Sequence, residues 1–157
     1  MKVVIIDGQG GSLGRALTEK IKSRVQCEIF AIGTNSIATA AMLKAGADHG
    51  ATGENPVVVA CRDADVIIGP AGIIAADSLL GEITPRIAVA IAVSRAHRIL
   101  VPVSRCHIHI AGMAQTSFAE MVESAVCELE KLAEEQGIEA VIALLREFDP
   151  DSADRLH

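Results

Sequence analysis

Two stretches of the chain carry residue types whose spacing suits chemistry. The first runs Lys2-Val3-Val4-Ile5-Ile6-Asp7-Gly8-Gln9-Gly10-Gly11-Ser12-Leu13-Gly14. A short apolar, β-branched run followed by a glycine turn predicts a buried strand, a turn and a helix start. Glycines there let a ligand approach the backbone. A helix beginning just after them aims free N–H groups and its positive dipole end at the turn, which suits a phosphate. The second stretch, Ser104-Arg105-Cys106-His107-Ile108-His109, follows a predicted strand. Arg105 has the planar fork that clamps a phosphate or carboxylate. Cys106 is a candidate nucleophile if Arg105 or His107 lowers its pKa. His107 and His109 share a face of an extended segment, but surface histidines account for them equally well, and no metal is expected.

The glycine spacing departs from the G-x-G-x-x-G dinucleotide fingerprint. Gly8 and Gly10 fit, Leu13 stands where the third glycine would be, and Gly14 comes one residue late. Read from Gly8, the pattern is G-x-x-G-x-x-G through Gly11 and Gly14. A tight turn that binds nothing is the plain alternative. The G-x-x-x-x-G-K-[ST] motif is absent, which argues against P-loop NTPase chemistry. A valine at Gly10 or Gly11 is expected to block a ligand and spare the fold.

Alternating strand and helix signals predict the elements that must position these residues. The first helix spans Ser12 to Val25, with Leu13, Leu17, Ile21 and Val25 on one face. Strand two, Glu28 to Ile32, ends in Gly33-Thr34-Asn35-Ser36. Dinucleotide folds often place a ribose-binding acid there, and this chain has none. Thr34, Asn35 and Ser36 are expected to cap a helix to Ala45 and are secondary candidates for ligand contact. A short strand over Ala47–Ala51 follows, then a helix from Pro56 to Arg62. Strand four, Asp65 to Ile68, leads into Gly69-Pro70-Ala71-Gly72, a second glycine turn. An apolar helix to Leu80, closed by Gly81, carries Asp77. In that setting its carboxylate is a candidate acid or base, the alternative being a merely exposed or capping side chain. Thr84-Pro85 starts a helix to Ala96, and strand five spans Arg98 to Val103. Ser117 and Glu120 form a capping box opening a helix to Gln136. Gly137 is expected to end it, with one more helix over Ile138–Phe148.

This order predicts an α/β fold, a doubly wound Rossmann-like parallel sheet of order 3-2-1-4-5 with helices on both faces. The two glycine turns then face each other across the switch-point crevice. The predicted organisation is a nucleotide-binding core over residues 1–114, C-terminal helices over 115–148, and a polar tail over 149–157. The net charge of −6 argues against nucleic acid as a partner. No apolar run reaches membrane-spanning length. The N-terminus enters a strand at once, which leaves no space for a leader. Cys27, Cys61, Cys106 and Cys127 form no C-x-x-C pair and read as reduced thiols of a cytoplasmic protein. Tyrosine and tryptophan are absent, which excludes a tyrosine acid.

With Asp7–Gly14, the segment Gly33–Asn55 and the turn Gly69-Pro70 in view, the chain resembles a family of small bacterial proteins. That family is classed as a domain of unknown function with a Rossmann-like fold. The resemblance spans Met1 to Ala114 and implies the fold and a nucleotide site, with no activity attached.

The sequence thus predicts a small nucleotide- or dinucleotide-binding protein, its ligand NAD(P) or another nucleotide. The expected contacts are Gly8, Gln9, Gly10, Gly11, Ser12, Leu13, Thr34, Asn35, Ser36, Gly69, Pro70 and Arg105. Two alternatives stand beside it. One is a non-enzymatic sensor or assembly component that binds a phosphorylated metabolite. The other is a small transferase or lyase using Arg105 and Cys106. The apolar segment Ala140–Leu145 predicts a homodimer.

Overall fold

The computed structural model describes residues 1–103, 110–112 and 116–148, with side chains described through Leu144. Five parallel strands form one sheet of order β3-β2-β1-β4-β5. The central strand β1 (Lys2–Asp7) pairs with β2 (Glu28–Gly33) on one side and β4 (Val66–Pro70) on the other. β3 (His49–Thr52) and β5 (His97–Val101) are the edges. Both faces of β1 are covered, so Val3, Val4, Ile5 and Ile6 are all wholly buried. This is why the strand reads as a continuous apolar run rather than an alternating one.

Successive residues of β1 feed two separate cores. Val3 and Ile5 pack with Leu13, Leu17 and Ile21 of α1 (Ser12–Arg24) and with Val122, Val126 and Leu129 of α5 (Phe118–Phe148). Val4 and Ile6 pack with Val57 of α3 (Glu54–Ala60) and with Ile87 and Ile91 of α4 (Pro85–Val93). The side-chain period of a strand, two residues, thereby divides the helices into two layers. The remaining helix, α2 (Ser36–Lys44), covers the first of these faces through Met42.

Local signals act as the sequence suggests. Asn35 caps α2, its side-chain oxygen accepting from the Ala38 N–H at 3.0 Å. Thr84 caps α4 from the Ile87 N–H at 3.2 Å, with Pro85 in the first turn. The Ser117–Glu120 box is reciprocal: the Glu120 carboxylate accepts from the Ser117 N–H at 2.7 Å, and the Ser117 hydroxyl accepts from the Glu120 N–H at 3.3 Å. α4 stops at Val93, short of the expected Ala96. The Arg98 guanidinium there donates to the carbonyls of Ile91, Ala92 and Ser94, replacing the next helical turn.

Two expectations are corrected. No α-helix spans the segment after Pro70. A single 3-10 turn (Ala71–Ile74) gives way to a loop in which Asp77, Leu79, Leu80 and Gly81 all have positive φ. The Asp77 N–H donates forward to the Ile83 carbonyl at 2.7 Å, and the Ser78 hydroxyl donates back to the Gly72 carbonyl. Burial of Ile73, Leu79 and Ile83 anchors this path in place of helical bonding. The second correction is at the C-terminus, where one continuous helix runs through Gly137. A helical glycine costs only about 1 kcal/mol relative to alanine, and Gly137 keeps a backbone outside the left-handed region. The long helix docks on α1 through Leu129 and neighbours and through an Arg24 guanidinium shared by Glu123 and Glu130. No helix among the described residues is long and apolar enough to cross a membrane.

Candidate functional site

The helices that follow β1 and β5 begin at the sheet's C-terminal edge, where open α/β sheets bind ligands. Between them lies a cleft of about 330 Å³, lined by Asp7, Gly8, Gly10, Ser12, Pro70, Leu79 and Phe118 among others. Its floor is the junction of β1 and β4, the point at which the strand order reverses.

The turn from β1 into α1 is built around Asp7. Its carboxylate, only 6% exposed, accepts from the Gly8 N–H at 2.8 Å and the Gly14 N–H at 2.6 Å. Gly14 lies in the first turn of α1, and Gly11 before the helix makes no side-chain cap. Asp7 therefore caps α1 from the preceding strand, satisfying a donor that would otherwise be orphaned. Burial pushes its carboxyl above the ordinary carboxylate range, against the pull of the Gly14 and Gly8 N–H groups, and the nearby Glu82 charge adds to the rise.

Glu82 reaches the same turn from the loop before α4. Its Oε2 accepts from the Gln9 N–H at 2.8 Å, the Asn35 amide at 3.2 Å and the Thr34 hydroxyl. Burial opposes its ionisation, but the Thr34, Gln9 and Asn35 hydrogen bonds outweigh that and hold the pKa below the ordinary value. The Gly11 N–H is bonded to the Gly8 carbonyl at 3.0 Å. Two turn donors, the N–H groups of Gly10 and Ser12, have no acceptor among the described residues. Both residues are exposed on the cleft wall.

Of the residues expected from the sequence, Gly8, Gln9, Gly10, Ser12, Leu13 and Pro70 line the cleft. Gly11 lies behind it, against α2. Gly69 is buried within β4. The second glycine turn thus contributes Pro70 rather than its glycines. Asn35 caps α2, and Thr34 is tied to Glu82; neither they nor Ser36 line the cleft. Asp77 is exposed on the left-handed loop and outside any apolar setting, which removes the reason to treat it as an acid or base. Arg105, Cys106, His107 and His109 lie outside the described residues. Of the other thiols, burial pushes Cys27 up, and Cys61 up to about 11, the wrong direction for a nucleophile.

Sequence reasoning missed Asp7 and Glu82. The signal for Asp7 was present: a carboxylate at the end of a buried strand needs donors, and the glycine turn beside it supplies them. Glu82 had no local signal, because its partner Thr34 is 48 residues away.

A family model described as "Domain of unknown function (DUF3842)" matches residues 2–134. The chain belongs to this family. The match takes in the whole sheet and the first half of α5, so the helix docked on α1 is part of what the family shares. No curated protein matches the chain. Among solved structures it is similar to a dodecameric FMN-dependent UbiX-like decarboxylase from Escherichia coli O157:H7. The two are 18% identical, with 84% of this chain and 76% of that chain covered and a TM-score of 0.41. A likeness at that level assigns no ligand to this chain.

The Asp7 environment has a measurable consequence. A raised folded-state pKa means that ionised Asp7 opposes folding, and the penalty is relieved as pH falls through that pKa toward the ordinary value of 3.8. Asp7→Asn keeps one acceptor oxygen and removes the charge. Relative to that variant, the wild type is expected to gain stability on acidification, read by urea melts between about pH 7 and pH 4. The opposite trend would mean that the two backbone hydrogen bonds outweigh burial.

Proposed function

We propose that this protein binds a nucleotide or dinucleotide, with a phosphate held at the turn between β1 and α1. The observation that carries this reading is the pair of N–H groups, Gly10 and Ser12, that find no acceptor among the described residues. They face a cleft at the switch point and stand at the positive end of α1. A volume of about 330 Å³ falls at the lower end of the range for small-molecule sites. No described lining residue is basic, so the backbone supplies the positive potential. Asp7 and Glu82 brace the turn from both sides and keep its donors aimed before a ligand arrives.

In this reading the ligand is NAD(P) or another nucleotide, bound by a cytoplasmic protein whose thiols stay reduced. A homodimer belongs to the same reading: Ile138, Val141 and Leu144 leave the outer part of α5 apolar and exposed, at 60%, 54% and 55%. The test is mass spectrometry of small molecules released from the denatured protein, joined to calorimetry with NAD, NADP, ATP and coenzyme A. Binding of at least one of these is expected. Absence of binding by all four at millimolar concentration would overturn the phosphate site.

A further inference from the structure

We propose that the outer part of α5, residues 134–144, docks in the groove between α3 and α4 of a second copy of this chain. The inference rests on the self-association included in the reading above and goes on to say which two surfaces meet. It is independent of the nucleotide site.

α5 outruns the domain it packs on. Its 31 residues make about 46 Å of helix at 1.5 Å per residue. The first half is seated: Val122, Ala125, Val126 and Leu129 are buried against the sheet face of Val3 and Ile5, and Leu132 and Ala133 are partly buried there. From 134 to 144 no residue is buried. The segment is nonetheless apolar, with Ile138, Val141 and Leu144 more than half exposed. Glu134, Ile138 and Val141 follow at spacings of four and three, so an acid and apolar residues share one stripe of the helix. Glu134, Glu135 and Glu139 are the charged residues between 132 and 145. An apolar helical stripe with no core beneath it marks a surface made for a partner.

The matching surface lies on the opposite face of the sheet. There α3 and α4 enclose a groove of about 460 Å³, lined by Val58, Arg62, Ala90, Val93 and Arg95 among others. Val59, Val89 and Val93 are exposed beside it, Val93 at 74%. Val89 and Val93 stand four apart on α4, and Val58 and Arg62 four apart at the end of α3, so each helix presents one continuous strip. Arg62 and Arg95 have no acidic partner among the described residues. Asp63, next to Arg62 in the chain, is taken by Lys2. The groove is therefore apolar with two cations, and the α5 stripe is apolar with acids. The patches agree in chemistry and oppose in sign. Two α5 ends set against each other would bury the same apolar side chains, but would bring acids together with no base between 132 and 145 to meet them. One chain carries both patches, so two copies satisfy each other, and reciprocal docking closes a twofold dimer in which the contact is made twice.

Sedimentation of the full chain at micromolar concentration should show the dimer. Arg62→Glu combined with Arg95→Glu should weaken association by at least about tenfold, and Glu134→Lys combined with Glu135→Lys should do the same. All four substitutions in one chain should recover most of the loss, because each reversed patch again meets its opposite. These side chains are exposed, so circular dichroism and the melting temperature of the protomer should stay close to wild type. A wild type that sediments as a monomer overturns this inference together with the self-association reading, and leaves the nucleotide site to its own test. A dimer indifferent to both reversals, or a fourfold variant no tighter than either pair, overturns this inference alone. Cross-linking gives a second measurement with no charge reversed. Val93→Cys with Val141→Cys, mildly oxidised, should yield a bond between positions 93 and 141 of different chains, identified by mass spectrometry. A bond between two copies of position 141 would set the α5 ends against each other and overturn the proposal.

Discussion

Gly11→Val is expected to destabilise the fold by several kilocalories per mole, whatever the protein binds. Gly11 has φ of 69°, in the left-handed region. A β-branched residue held there costs about 1–2 kcal/mol. A Cβ at this position would also stand 2.7 Å from the Ala38 Cα of α2, a backbone atom that cannot rotate away. Forcing α1 and α2 apart adds about 1–3 kcal/mol. The sum, about 2–5 kcal/mol, is a large part of the 5–15 kcal/mol typical of a domain. It corresponds to a fall in melting temperature of roughly 10 °C for a chain of this length. Thermal or urea unfolding followed by circular dichroism measures it. A variant as stable as the wild type would mean that the α1–α2 contact yields easily and that Gly11 is not a packing residue.

Gly10→Val should do the reverse, sparing the fold and removing the ligand. Gly10 is exposed, its φ lies outside the left-handed region, and a Cβ built on it meets nothing within 4 Å. The added side chain has open space around it at a residue that lines the cleft, and is expected to compete there with a phosphate at the Gly10 and Ser12 N–H groups. Hydrogen bonds to charged groups contribute about 1.5–3 kcal/mol each. Loss of two of them weakens phosphate binding by more than about 100-fold. Calorimetry of pyrophosphate or a bound nucleotide, run beside a melting curve, reads both effects. Undiminished affinity in Gly10→Val would move the phosphate away from this turn. The two substitutions share a residue type and are neighbours in sequence, yet they probe different things, and only the backbone geometry tells them apart.

The architecture was legible because each of its signals is local and repeated. β-branched runs bounded by turn residues gave the strands, and the four-residue spacing of Leu13, Leu17 and Ile21 gave α1 its buried face. Asn35, Thr84-Pro85 and the Ser117–Glu120 box act within three residues of themselves, so their geometry follows from sequence position. Where the reading went astray, local preference was overridden from a distance. The segment after Pro70 has the composition of a helix, but burial of Ile73, Leu79 and Ile83 holds it in a left-handed loop. Gly137 reads as a helix end, and a cost of about 1 kcal/mol is too small to stop a helix with good formers on both sides.

The sequence by itself determined the strand order, the glycine turn and its place at the mouth of α1, because hydrophobic period and turn chemistry act between neighbours. Only the tertiary structure decided which turn donors find no acceptor among the described residues. Asp7 takes the Gly8 and Gly14 N–H groups, and Glu82 takes that of Gln9. It also decided that Glu82, on the loop before α4, reaches Thr34 at the end of β2. The physical reason is that a carboxylate is directed by the donors it can reach in space, and two chain segments 48 residues apart meet only when the sheet is assembled.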